Sequence, residues 1–221
     1  SLHGASLAPE LGAVAPVFSL ISPTQKRGEM QTMEALCAFH LQEIWSTIPD
    51  GPLVLVGHSF GGLVALELGA QLQACGRMVP QIVLLDTRPK SPGGDSVFDR
   101  TAELLKVLAQ LGLQLQPPAD TPFEDVLAGA GALLARESAI DNAPMDHAAW
   151  LRGVIAHLEA SADLRARWTP RAPKPPTSIH LLLASDADRN EQRSTTAGAL
   201  SHDLGWSVYL TLASVQTIPG N

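Results

Sequence analysis

The chain has 221 residues, 45% of them hydrophobic, with 15 basic and 22 acidic side chains for a formal net charge of −7. That length supplies one sizeable core, and an acidic balance without a dense basic cluster excludes a surface that tracks a phosphate backbone, so no nucleic acid is expected as a partner. No apolar run is as long as a membrane span, and Ser1-Leu2-His3-Gly4 lacks the charged-then-apolar layout of a signal peptide; a cytoplasmic protein without a membrane partner is the expectation.

Ala5 to Gly12 reads as the end of a short helix closed by glycine, and Pro16-Val17-Phe18-Ser19-Leu20-Ile21 as a strand. Thr32 to Trp45 repeats apolar residues at three and four spacing, a helix broken by Pro49-Asp50-Gly51-Pro52. The apolar run from Leu53 to Val56 predicts a strand, Leu63, Leu66 and Ala70 a following helix, and Gln81-Ile82-Val83-Leu84-Leu85 a buried strand ending at Asp86. Such alternation implies an α/β fold, a mostly parallel sheet with helices on both faces. From about residue 90 to 170 the pattern is helical only, over Val97 to Leu111, Phe123 to Leu134 and Ala148 to Leu158; this insertion is expected to pack over the carboxyl ends of the strands as a lid.

Arg165, Arg167, Arg171 and Lys174, interleaved with prolines, read as a solvated connection to a strand at Ser178 to Leu183, with a docking patch for an acidic partner as the lesser reading. Val208-Tyr209-Leu210 through Ile218 reads as a last strand leading into a turn. The whole is one domain, residues 1–221. Cys37 and Cys75 fall in helical patterns, and both are expected to be buried free thiols.

Chemistry concentrates at Gly57-His58-Ser59-Phe60-Gly61, where a strand turns at once into a helix. Only residues without bulk can crowd such a turn, which accounts for Gly57 and Gly61 and thrusts Ser59 out at the tip. The pattern matches the nucleophile elbow of the α/β-hydrolases, with an incidental serine in a glycine-rich turn as the plainer reading. A serine hydroxyl needs a base to take its proton and an acid to orient that base. Asp86, ending the strand after the elbow helix, meets the positional demand for the acid; Asp186 and Asp188, after the following strand, are the alternatives. The backbone N–H of Phe60 can supply one oxyanion donor, and a second is expected from an early loop. The base is harder to place: His202 precedes the last strand, His147, His157 and His180 lie in or just after the helical insertion, and His3 and His40 precede the elbow. His58 adjoins Ser59 but points away from it and is expected to pack beneath the elbow.

The elbow Gly57-His58-Ser59-Phe60-Gly61-Gly62, the strand Ile82-Val83-Leu84-Leu85-Asp86 and the ending Val215-Gln216-Thr217-Ile218-Pro219-Gly220-Asn221 together resemble the type I thioesterase domains of polyketide and nonribosomal peptide assembly lines. In that family the acid follows the nucleophile by a little under thirty residues, which favours Asp86, and a Pro-Gly-Asp/Asn-His motif carries the basic histidine. Pro219-Gly220-Asn221 matches up to the residue before it, so the chain is expected to be trimmed at both ends. The resemblance implies release of an acyl or peptidyl chain from the phosphopantetheine arm of a carrier protein, by hydrolysis or macrocyclisation through an ester on Ser59, with no metal and no cofactor beyond that arm. An editing thioesterase, a carboxylesterase or lipase, and an inactive binding module of the same fold are the other readings.

Overall fold

A computed structural model describes residues 8–9, 11–21, 31–90, 97–137, 145–184 and 203–218. Asp186, Asp188, His202, His3 and Pro219-Gly220-Asn221 therefore lie outside the described residues. Two compact units form, one from Ser1–Pro89 with Trp168–Asn221 and one from Lys90–Arg167.

The first unit is a parallel four-stranded sheet in the order β1 (Val54–His58), β2 (Gln81–Leu85), β3 (Ser178–Ala184), β4 (Ser214–Ile218). Helix α1 (Met33–Thr47) precedes β1 and is capped by Thr32, whose hydroxyl accepts from Ala35 N–H at 3.1 Å. Helix α2 (Phe60–Ala74) follows β1 directly and packs against α1, β1 and β2. It is buried nearly all round, because Leu63, Leu66, Leu68 and Leu72 face neighbours on more than one side. Gly69 lets it approach the sheet, since a Cβ there would stand 2.6 Å from Ile82 Cδ1. Ile82, Leu84, Ile179, Leu181 and Leu183 share the buried sheet face, as period-two alternation in register requires.

The connection between α1 and β1 is held by Arg77, which is 7% exposed. Its guanidinium donates to the carbonyls of Ile48, Pro49 and Asp50 and lies 5.1 Å from the Trp45 ring centroid. Cys37 is buried and donates to the Val64 carbonyl. Burial, reinforced by Glu67 and Glu34, pushes its thiol well above the ordinary value.

The second unit comprises α3 (Arg100–Gln110), α4 (Phe123–Glu137) and α5 (His147–Arg167) around a core of Leu104, Leu108, Val126, Leu127, Leu151 and Ile155. Asp99 caps α3 by accepting from Thr101 and Ala102 N–H, and Asp146 accepts from Ala149 N–H near the start of α5.

Four local expectations fail. Pro16–Ile21 forms no strand and is exposed: an apolar run becomes a strand only when its backbone joins a ladder, and this segment pairs with none of the described strands. Helix α5 runs to Arg167, so Arg165 and Arg167 belong to its last turn, where positive charge complements the helix dipole. Val208–Leu210 is not strand: the Asp203 carboxylate accepts from Gly205 and Ser207 N–H at 3.0 and 2.7 Å and closes a 3₁₀ turn over Trp206–Val208. Cys75 caps the end of α2 in solvent and is exposed.

Candidate active site

Ser59 sits at the junction of β1 and α2 with φ 52° and ψ −121°, a conformation that non-glycine residues rarely adopt. Three contacts enforce it. Ser59 N–H donates to the Leu85 carbonyl at 2.9 Å, the Ser59 carbonyl accepts from Gly62 N–H at 3.0 Å, and Gly57 lies so close to the Gly61 carbonyl that any Cβ would overlap it. The serine is exposed at the tip. The steric demand falls differently from the sequence expectation, because a Cβ on Gly61 would meet open space, whereas one on Gly62 would strike the Thr87 side chain. Gly57 and Gly62 are the glycines that the turn requires.

Phe60 is the first residue of α2, and the first N–H groups of a helix have no intrahelical acceptor. Its amide thus belongs to the set that can receive a developing negative charge. His58, by contrast, is exposed and does not pack beneath the elbow. It shares the face of β1 with Val54 and Val56, which are exposed as well, so that face gives it no core to enter.

Asp86 occupies the matching position on the next strand. His58 pairs with Leu85 in register, and each of Ser59 and Asp86 is one residue beyond that pair, at the carboxyl edge of neighbouring parallel strands. Asp86 also has a positive φ, 43°. Its N–H donates to the Leu182 carbonyl at 2.9 Å, and its Oδ1 accepts from Ala184 N–H at 3.0 Å. The carboxylate is thereby tied to β3 while its backbone continues β2.

Among the histidines, His40 is buried with Nδ1 2.9 Å from Glu43 Oε2, and His180 on β3 lies with Nδ1 2.8 Å from Ser214 Oγ. His147 and His157 belong to α5 in the helical unit. Among the described residues no group of three or more His, Cys, Asp or Glu side chains is arranged to hold a metal.

Several residues around the site escaped the sequence reading. Thr87 is fully buried, its hydroxyl 3.1 Å from the Leu85 carbonyl and 3.4 Å from that of Gly57, and its own carbonyl accepts from the indole N–H of Trp206 at 2.8 Å. Glu67, 1% exposed on α2, accepts from Trp168 Nε1 and Gln71 Nε2, both at 3.0 Å. The Gly61-Gly62 doublet was the only sequence signal of the first contact, and nothing in periodicity announces the second.

Residues 5–208 match the family model described as the thioesterase domain. The chain belongs to the thioesterase domain family. Chondramide synthase cmdD of Chondromyces crocatus is 30% identical over 165 residues, covering 75% of this chain and 4% of the synthase. Vanchrobactin synthetase VabF of Vibrio anguillarum is 43% identical over 77 residues, 34% of this chain and 3% of the synthetase. The non-reducing polyketide synthase terA of Aspergillus terreus is 28% identical over 184 residues, 79% of this chain and 8% of the synthase. This thioesterase domain thus spans a small part of the length of the curated relatives it matches. The NocB thioesterase domain, solved as a covalent complex with a fluorophosphonate nocardicin G analog, superposes with a TM-score of 0.62 at 23% identity, over 100% of this chain and 79% of that one. A four-domain nonribosomal peptide synthetase bound to AMP and glycine superposes at 0.64 and 23%, over 86% of this chain and 14% of that one. These likenesses carry the fold, the mostly parallel α/β-hydrolase sheet with helices on both faces. Among the described residues no helix is long and apolar enough to cross a membrane.

Proposed function

We propose that this domain releases an acyl or peptidyl chain from the phosphopantetheine thioester of a carrier protein, through an ester on Ser59. The observation that carries the reading is the strained Ser59, held by the Leu85 carbonyl at the edge where Asp86 follows. Ser59 Oγ attacks the thioester carbonyl while a histidine accepts its proton, and the pantetheine thiol leaves with a proton returned by that imidazole. In the resembling family this histidine follows the motif that Pro219-Gly220-Asn221 matches. Asp86 orients the imidazole and stabilises its charged form, and the Phe60 amide holds the tetrahedral oxyanion together with a second donor. Water then yields a free acid, and a hydroxyl or amine of the chain itself yields a macrocycle. The helical unit, Lys90–Arg167, is proposed as the lid that shapes the acyl chamber; its insertion in the chain directly after Asp86-Thr87-Arg88-Pro89 supports that role.

A fluorophosphonate tests the nucleophile, the same probe class that the NocB relative holds covalently. The expected result is a single adduct that peptide mapping places on Ser59 and that Ser59→Ala abolishes, with turnover of an acyl N-acetylcysteamine thioester falling by several powers of ten. An adduct on another residue would overturn the assignment.

A further inference from the structure

We propose that Trp206 and Thr87 are positioning residues that fix Asp86 relative to Ser59, an inference that rests on the triad roles given above. Asp86 has a positive φ, 43°, a sparsely populated conformation for a residue with a Cβ, and the contacts around it help to hold it there. The residue that follows it, Thr87, is held through both its side chain and its carbonyl. Behind Asp86, Thr87 Oγ1 shares its proton between the carbonyls of Leu85 and Gly57, the first belonging to the strand of the acid and the second to the strand of the nucleophile. The Thr87 side chain also fills the space that Gly62 leaves open on the elbow helix. Its carbonyl is pinned by the indole N–H of Trp206, 119 residues further on and 0% exposed.

Trp206 is itself fixed. The Asp203 carboxylate holds the N–H groups of Gly205 and Ser207, Leu204 and Gly205 both take positive φ, and the Tyr209 ring stands edge-on at 6.4 Å. A turn late in the chain therefore reaches the residue that follows the acid and packs against the elbow helix. With the Thr87 carbonyl released, the residue directly after Asp86 loses one of its holds, and the carboxylate that the Ala184 amide also orients loses a fixed base. A misplacement of about 1 Å is enough to cost on the order of 10²-fold in rate.

The test compares Trp206→Phe, which keeps an aromatic ring and removes the N–H, with Thr87→Val, which keeps the shape and removes the hydroxyl, and with Thr87→Ser, which restores a hydroxyl. All are made in the full-length protein, alone and combined with Asp86→Asn, and circular dichroism verifies folding. Trp206→Phe and Thr87→Val should lower kcat on the order of 10- to 100-fold with KM within about twofold, and Thr87→Ser should recover most of the loss. The acid limb of the kcat/KM profile should move to lower pH, because an imidazolium with a displaced carboxylate gives up its proton more readily. Neither substitution should cost further activity once Asp86→Asn is present. Losses that add to that of Asp86→Asn, or an unmoved pH limb, would overturn the inference and leave the triad roles standing. An active Asp86→Asn would overturn both. Should Trp206→Phe fail to fold, Thr87→Val and its serine counterpart decide the question.

Discussion

The sheet unit and the helical unit meet the demands of burial in opposite ways. In the sheet unit each decisive contact joins distant parts of the chain: β2 pairs with β3 across the whole helical insertion, Trp168 reaches back to Glu67, and Trp206 reaches back to Thr87. In the helical unit each helix packs on the others of the same short segment, and its charged pairs, Arg100 with Glu159 and Arg152 with Glu124, stand at the surface. Strained backbone follows the same division: among the described residues the non-glycine positions of positive φ are Ser59, Asp86 and Leu204, all in the sheet unit. Strain persists only where the surroundings over-determine it, and long-range contacts supply that surplus of constraint.

Substitutions can break this contrast, and the largest effect belongs at the sheet edge. Asp86→Asn should cost on the order of 10⁴ in kcat with little change in melting temperature, while Asp186→Asn and Asp188→Asn leave turnover near normal. Steady-state kinetics on the three variants checks this, and a crippled Asp186→Asn with an active Asp86→Asn would move the acid to the strand after the helical unit.

Next comes a core substitution in the helical unit. Leu127 is fully buried between α3, α4 and α5, and Leu127→Ala should destabilise that unit by about 2–5 kcal/mol in denaturant unfolding. Fluorophosphonate labelling of Ser59 should survive it, since the elbow is held by contacts within the sheet unit.

A pair of glycine substitutions sharpens the comparison inside the elbow itself. Gly57→Ala meets the Gly61 carbonyl and should lower stability by about 1–3 kcal/mol, whereas Gly61→Ala meets open space in the first turn of a helix and should be neutral or stabilising by up to about 1 kcal/mol. Thermal unfolding separates the two, and equal losses would deny that backbone crowding sets the turn. The smallest effect belongs to the exposed ion pair: Arg100→Gln should leave the melting temperature unmoved in scanning calorimetry, although the hydrogen bond to Glu159 and then its charge raise the proton affinity of the guanidinium.

The same division marks what the amino-acid sequence discloses by itself. Strand β2 ends at the predicted Leu85, α1 and α2 lie where three-and-four spacing puts them, and all three helices of the insertion exist, because periodicity is a local property of the chain. The elbow was legible for the same reason. What stayed hidden was non-local. Pro16–Ile21 has the composition of a strand and no partner among the described strands, so composition misled. Thr87 resembled an ordinary turn residue after a strand, and only the fold brings Gly62 beneath it and Trp206 beside it. Val208–Leu210 carried strand-forming residues that a carboxylate five residues upstream of Val208, Asp203, diverted into a turn. Family resemblance favoured Asp86 over the later acids through spacing, which is a sequence quantity; the register that sets it one strand from Ser59 is not.

The Arg77 guanidinium gathers the carbonyls of Ile48, Pro49 and Asp50, and in chain order everything between those two ends is β1, the elbow and α2. The clasp closes that stretch into a loop of its own, sealed by one side chain at the end of the sheet away from Ser59. Such a closed βα segment opens as one cooperative block instead of fraying from either terminus. Its amides should exchange with solvent together, so that the nucleophile stays presented through fluctuations that loosen β4 at the opposite edge of the described sheet.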